Sequence, residues 1–214
     1  MALNDLRTEL AATAARLIAE EGCEYGQAKR RAVQEILGDE VRRSTLPDNQ
    51  QVEHELRRYL KLFGGEAHRA LLAAMRETAV ETMQTLQEFD PHLIGAVLNG
   101  TATEHSDIHL QLFVDSAKDV ELHLINMGID FDVDHGDDDA DRPAALERLS
   151  FVVPISGVGE PRRVGIRLHV YQRDAIRIAP RHRRHGAGEA DMHPIEAAGR
   201  ANLNSVRRLI DELR

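Results

Sequence analysis

Residues 93–116, LIGAVLNGTATEHSDIHLQLFVDS, contain the signals that decide the fold. A short apolar run ends at Asn99-Gly100, a dipeptide typical of turns. Downstream of it, Ile108, Leu110, Leu112 and Val114 alternate with mostly polar neighbours, which is the periodicity of a half-buried strand. The stretch therefore predicts two strands joined by a glycine-containing turn.

On either side of this stretch the hydrophobic pattern is different. Before residue 90, apolar residues recur at helical spacing in four segments, which predicts a bundle of four amphipathic helices. After it, strand patterns recur at 129–133, 151–155 and 164–171, with a helix between Ser116 and Gly128. A last amphipathic helix follows near the end of the chain. We therefore expect an α+β protein whose sheet is mixed.

The same changes of pattern predict four segments. The first is a helical domain at 1–89, and the second is a sheet-containing domain at 90–178. A segment rich in Arg, His and Gly follows at 179–193, and a C-terminal helix occupies 194–214.

Composition excludes several classes of protein. The 214 residues carry a net charge of −9, which argues against a coat that binds nucleic acid over its whole surface but allows a local basic patch. The single cysteine, Cys23, excludes an internal disulfide framework and a zinc site built from several cysteines. No apolar run reaches the roughly 18 residues of a membrane span, and no signal segment opens the chain. We expect a soluble cytoplasmic protein.

Asp107 and His109 are the first candidates for a functional site. Residues i and i+2 of a strand share a face about 6.6 Å apart, so these two side chains project together. The predicted turn places the backbone amides of Asn99, Gly100 and Thr101 beside them. Amides next to two possible metal ligands suit a metal-bound phosphate.

These residues resemble the signature of the nucleotidyltransferase superfamily, which has the polymerase-β-like fold. That signature is a Gly-Ser turn, about a dozen residues, and an Asp-x-Asp on the next strand. Gly100-Thr101-Ala102 and Ser106-Asp107-Ile108 look like the residues that precede and open the Asp-x-Asp, and Gly95 stands where the Gly of the Gly-Ser pair is expected. The resemblance implies a nucleotidyltransferase-like domain at 90–178 and a nucleotide-binding role for Asn99, Gly100, Thr101 and Ser106.

The chain departs from the family pattern at two positions. Either Ala96 stands in place of the phosphate-binding Ser, or Gly100-Thr101 plays that part in a shortened turn. His109 replaces the second carboxylate, which gives a degenerate Asp-x-His. His169, on the polar face of the strand at 164–171, is the candidate for the third ligand. The resemblance thus implies a divalent metal at Asp107, His109 and His169, with Asp107 and His109 catalytic. The family's metal is Mg²⁺ or Mn²⁺, and imidazole ligands make Zn²⁺ possible.

The whole chain is also similar to small bacterial proteins often labelled UDP-N-acetylmuramate–alanine ligase. No G-x-x-x-x-G-K-[ST] phosphate loop occurs in it.

A basic cluster indicates the partner. Arg177, Arg181, Arg183 and Arg184 interrupt an acidic chain, and RNA is a polyanion that such residues bind. The favoured hypothesis is an enzyme that adds or removes nucleotides at an RNA 3′ end, tRNA being the best guess. The alternatives are a catalytically degenerate module that binds a nucleotide or RNA, and a modifier that nucleotidylates a partner protein.

Overall fold

The computed structural model describes residues 3–38, 46–133, 145–155, 162–178 and 192–213. Its backbone contacts divide the chain into two compact units. One unit comprises residues 1–69 with 103–105, and the other comprises 70–102 with 106–214. The division falls inside a helix, whereas the sequence pattern predicts the end of the helical domain at residue 89.

The first unit contains the predicted helices. They are α1 (Leu3–Glu21), α2 (Tyr25–Leu37), α3 (Asn49–Phe63) and the first residues of α4 (Gly65–Thr85). Leu10, Leu17, Val52 and Leu56 form its buried core, in agreement with the apolar stripes of the sequence. Asp48 begins α3 with a capping box, because its carboxylate accepts from the backbone amide of Gln51 and the Gln51 side chain accepts from the Asp48 amide.

The second unit is built on a six-stranded mixed sheet in the order β3-β4-β5-β2-β1-β6. After α4 its elements are β1 (His92–Ile94), α5 (Gly95–Asn99), β2 (Ile108–Val114), α6 (Ala117–Asn126), β3 (Asp132–Val133), β4 (Glu147–Ile155), β5 (Arg162–Gln172), α7 (Pro194–Ala197), β6 (Arg200–Asn202) and α8 (Leu203–Leu213). Short 3-10 helices lie at Gln87–Phe89 and Arg173–Arg177. Strands β2 and β5 run parallel, and the other neighbours are antiparallel. The predicted mixed sheet with flanking helices is confirmed.

Three local predictions need correction. The apolar run at 93–98 is not one strand, because β1 ends at Ile94 and Gly95 adopts a φ of 73°, which strand residues do not adopt, before α5 begins. Of the strand predicted at 129–133, only Asp132 and Val133 pair with β4. The predicted C-terminal helix is interrupted, since β6 pairs with β1 between α7 and α8.

The two faces of the sheet differ in polarity. Alternate residues of β2 and β5, such as Leu110 and Leu168, are fully buried and share one apolar cluster with residues of α4, α6 and α8. The residues between them are mostly polar and partly buried or exposed, apart from the buried aromatic residues Phe113 and Tyr171 at one end. We call this second side the polar face, and it carries Asp107, His109 and His169.

None of the helices within the described ranges combines the length and the apolar character that a membrane span needs.

Candidate functional site on the polar face of the sheet

His109 and His169 meet at the centre of the polar face. Nδ1 of His109 lies 3.0 Å from Nε2 of His169, and the rings stack at 18° with centroids 5.3 Å apart. They meet because β2 and β5 run parallel in a register that pairs His109 with Arg167 and Gln111 with His169. One nitrogen at this distance donates while the other accepts, so the two imidazoles share a hydrogen bond whose direction depends on their tautomers.

Asp107 faces an arginine instead of the histidine pair. Its Oδ2 accepts a hydrogen bond from Nε of Arg167 at 2.6 Å, and the two side chains are 30% and 48% exposed. Gly165 provides the space, because a Cβ at that position would collide with the Asp107 carboxylate. The Asp107 carboxylate therefore packs against Gly165 of β5 and forms an ion pair with the guanidinium of Arg167.

The predicted nucleotide-binding turn is folded onto itself. The amides of Gly100 and Thr101, which follow the last residue of α5, both donate to the carbonyl of Ala96. The Asn99 side chain accepts from the amide and the hydroxyl of Thr101, and both residues are buried. The amides of Gly100 and Thr101 are thus engaged within the turn itself.

The other glycine of the predicted signature lies beside the histidine. Ile94 of β1 pairs with His109, and a Cβ added at the next residue, Gly95, would lie 4.0 Å from the Cβ of His109. The strand, the glycine and the short helix α5 therefore flank β2 next to His109.

The remaining predicted residues are dispersed. Ser106 is half-buried one residue before Asp107. Arg177 lies in the 3-10 helix after β5, with its side chain 84% exposed and 4.0 Å from Asp174. Arg181, Arg183 and Arg184 lie outside the described residues.

The donors for a metal are incomplete as they stand. Across the ranges given above, no three His, Cys, Asp or Glu side chains converge in a way that could hold an ion. His109 and His169 supply two nitrogens, whereas the Asp107 carboxylate is paired with Arg167. A dedicated protein site usually supplies three or four ligands.

An aromatic cluster closes one end of the polar face. Phe113 of β2 stacks on Tyr171 of β5 at 6.0 Å, and the Arg200 guanidinium lies 5.3 Å from the centre of the Phe113 ring. Arg200 also donates to the carbonyl of Ile176. Burial lowers the pKa of Arg200, an effect that Asp90 partly opposes. This end of the face is therefore packed, with both aromatic rings buried.

Sequence reasoning missed Arg167, Gly165 and Arg148. The register places Arg148 beside His169 and Ser150 beside Arg167 on β4. The sequence did contain a signal for Gly165 and Arg167. They precede His169 by four and two residues on β5, and residues at this spacing share one face of a strand.

Comparison with known proteins adds no assignment to this geometry. No protein-family model, no curated protein and no solved structure matches the chain.

Proposed function

We propose that the protein is an enzyme of nucleotidyl or phosphodiester chemistry that adds or removes nucleotides at an RNA 3′ end, with tRNA as the first candidate. The observation that carries the proposal is the His109–His169 contact on the polar face. The resemblance of residues 93–116 to the nucleotidyltransferase signature supports it, and so does the position of Gly95 beside His109.

The arrangement provides the groups that phosphoryl transfer requires. One imidazole takes a proton from the attacking oxygen while a partner returns a proton to the leaving oxygen. Arg167 supplies a guanidinium, which matches two phosphate oxygens at once. His109 and His169 act on protons, and Arg167 binds the charge that accumulates on phosphorus-bound oxygens.

A divalent ion is part of the proposal, Mg²⁺ or Mn²⁺ by the resemblance, with Zn²⁺ suited to imidazole. With the ion present, His109 and His169 would hold it instead of transferring protons, and Asp107 is the third predicted ligand. When bound, such an ion supplies Lewis-acid polarisation of a phosphoryl oxygen.

The test is incubation of the full chain with 3′-labelled tRNA, with and without nucleoside triphosphates, in Mg²⁺, Mn²⁺ or Zn²⁺. We expect the label to be extended or released, and His109→Gln and His169→Gln to reduce the rate at least 100-fold, the lower range for one general acid or base. His54→Gln, on α3 in the other unit, is the matched control. Unchanged rates in both site variants contradict the proposal.

A second candidate function is supported by the Asp107–Arg167 pair. A carboxylate already neutralised at 2.6 Å by a guanidinium is a poor cation ligand, which favours a module that binds a nucleotide or RNA without turning it over. Calorimetry then shows binding, while no label is extended or released in any of the three metals.

A further inference from the structure

The polar face concentrates hydrogen-bond donors in one small area. Strands β4, β5 and β2 are adjacent, and their register sets Ser150 beside Arg167 beside His109 in one row. The next row sets Arg148 beside His169 beside Gln111. We call these six residues the cationic patch: Arg148, Ser150, Arg167, His169, His109 and Gln111.

The dimensions of the patch suit one phosphate group. Neighbouring strands are about 4.8 Å apart and residues i and i+2 about 6.6 Å apart, so the six side chains cover roughly 10 by 7 Å. All six lie on partly buried or exposed positions, and Arg148 and Arg167 reach the surface on adjacent strands. Because Arg148 and Arg167 lie on adjacent strands and on the same face, a phosphate on that side would be within reach of both side chains.

The charge of the patch has the opposite sign to that of the chain. The protein carries a net charge of −9, yet the patch contains two guanidinium groups, two imidazoles, one hydroxyl and one amide. Two carboxylates border it: Asp107, which accepts a hydrogen bond from Nε of Arg167, and Asp132 of β3, which pairs with Ser150. Each of the six side chains can donate a hydrogen bond, as an anionic ligand requires.

The Asp107 contact fixes the orientation of the arginine. A carboxylate on Nε restricts the rotation of the guanidinium plane and so orders its other N–H groups. The close packing of the Asp107 carboxylate against Gly165 in turn restricts the movement of that carboxylate. Such an ordered guanidinium loses less rotamer entropy when a ligand binds than a mobile side chain does.

We infer that the cationic patch binds the terminal phosphate of a nucleotide or RNA end, and that Asp107 is a positioning residue for Arg167. The inference deepens the proposed function and rests on it for the identity of the ligand as a nucleotide. Phosphate binding is measured without turnover, so the two are tested separately.

The experiment is isothermal titration calorimetry of the full chain with 5′-AMP, adenosine and inorganic phosphate. We expect 5′-AMP to bind at least tenfold more tightly than adenosine, and inorganic phosphate to displace it. We expect Arg148→Gln and Arg167→Gln each to lower the affinity for 5′-AMP at least tenfold. Arg208→Gln on α8, where the arginine pairs with Glu212, removes the same charge from another element and leaves binding unchanged.

The positioning role of Asp107 has its own readout. We expect Asp107→Asn and Gly165→Ala each to lower the affinity for 5′-AMP in the wild-type background. Neither change should lower that affinity further once Arg167 is replaced by Gln. Melting temperatures recorded in parallel separate this coupling from a loss of folding. Additive losses in the Arg167→Gln background refute the positioning role.

The outcomes distinguish the two proposals. Equal affinity for adenosine and 5′-AMP, no binding of either, 5′-AMP that inorganic phosphate does not displace, or an equal loss in Arg208→Gln overturns the phosphate site, even if tRNA is turned over. Binding of 5′-AMP that depends on both arginines supports the site, even if turnover is absent and the enzymatic proposal fails.

Discussion

Loss of the Glu196 carboxylate should destabilise the sheet-containing unit strongly. Arg76 of α4 is 3% exposed, and its Nη2 lies 2.6 Å from Oε1 of Glu196 on α7. Nε and Nη2 of Arg76 also donate to the carbonyls of Val97 and Leu98 at 3.0 Å each. The arginine thus joins α4, α5 and α7 through one buried guanidinium.

The structure sets the expected magnitude. Removing one partner of a buried ion pair leaves an uncompensated charge, at a cost of about 3–5 kcal/mol. The second oxygen of Glu196 also accepts from the amide of His193 in the capping box of α7, and loss of a cap costs about 1 kcal/mol. We expect Glu196→Ala to lower the free energy of unfolding by roughly 4 kcal/mol. We expect the variant still to fold, since native proteins are typically stable by about 5–15 kcal/mol.

The assay is equilibrium unfolding in urea followed by far-ultraviolet circular dichroism, on Glu196→Ala, Arg76→Met and the double variant. Removing both charges leaves the two carbonyls without a donor but no isolated ion, so the double variant should cost at least about 2 kcal/mol less than the sum of the single variants. A cost below about 1 kcal/mol for Glu196→Ala, or strict additivity, refutes the reasoning.

Three further predictions concern stability. The Tyr59 hydroxyl donates a hydrogen bond to Glu20 at 2.6 Å, which lowers the pKa of Glu20 and raises the pKa of Tyr59. The stabilisation from this bond is therefore lost as pH falls through the folded-state pKa of Glu20 or rises through that of Tyr59. The melting-temperature difference between wild type and Tyr59→Phe should shrink at both pH extremes, and a constant difference contradicts this prediction. Asp48→Ala removes the carboxylate that caps α3 at Gln51 and should cost about 1 kcal/mol in urea unfolding, more than Asp48→Asn does. Met83→Ala empties a fully buried position and should cost about 2–5 kcal/mol, which a calorimetric melting curve measures.

Local pattern was sufficient where one face of an element is buried along its length. The stripe Val52, Leu56 and Leu60 predicts α3, and all three residues are buried in it. The alternation around Leu110 and Leu168 predicts two strands and also which side chains share the polar face. His109 and His169 were found in this way.

Short elements depend on contacts that no local pattern contains. The strand β6 has three residues and exists because it pairs with the edge of β1, so its sequence lies hidden between two helical segments. The apolar run after Leu93 satisfies both a strand and a helix, and only the backbone conformation of Gly95 separates β1 from α5.

The register between β2 and β5 decides the chemistry of the site, and it was beyond sequence reasoning. Asp107 and Arg167 are sixty residues apart, and nothing local to either residue specifies that they pair. A shift of two residues along β5 would preserve the alternation of buried and polar residues, but it would replace Gly165, which leaves room for the Asp107 carboxylate, with Arg163 or Arg167. Asp107, the predicted metal ligand, is therefore paired with Arg167, and only the three-dimensional structure reveals this pairing.

This pairing constrains any reaction on the polar face. A carboxylate that ligates a metal must release the arginine, whereas a carboxylate that orders the arginine keeps its negative charge next to the guanidinium. Under the proposed function, the first arrangement would bring a cation to a substrate phosphate, and the second would bring the guanidinium itself. In both cases the positive charge would lie between β5 and β2, where the imidazoles of His109 and His169 are in contact. The two arrangements are distinguishable: exchanging one metal for another should change the rate only in the first, whereas Arg167→Lys, which keeps the charge but not the planar fork, should weaken phosphate binding only in the second.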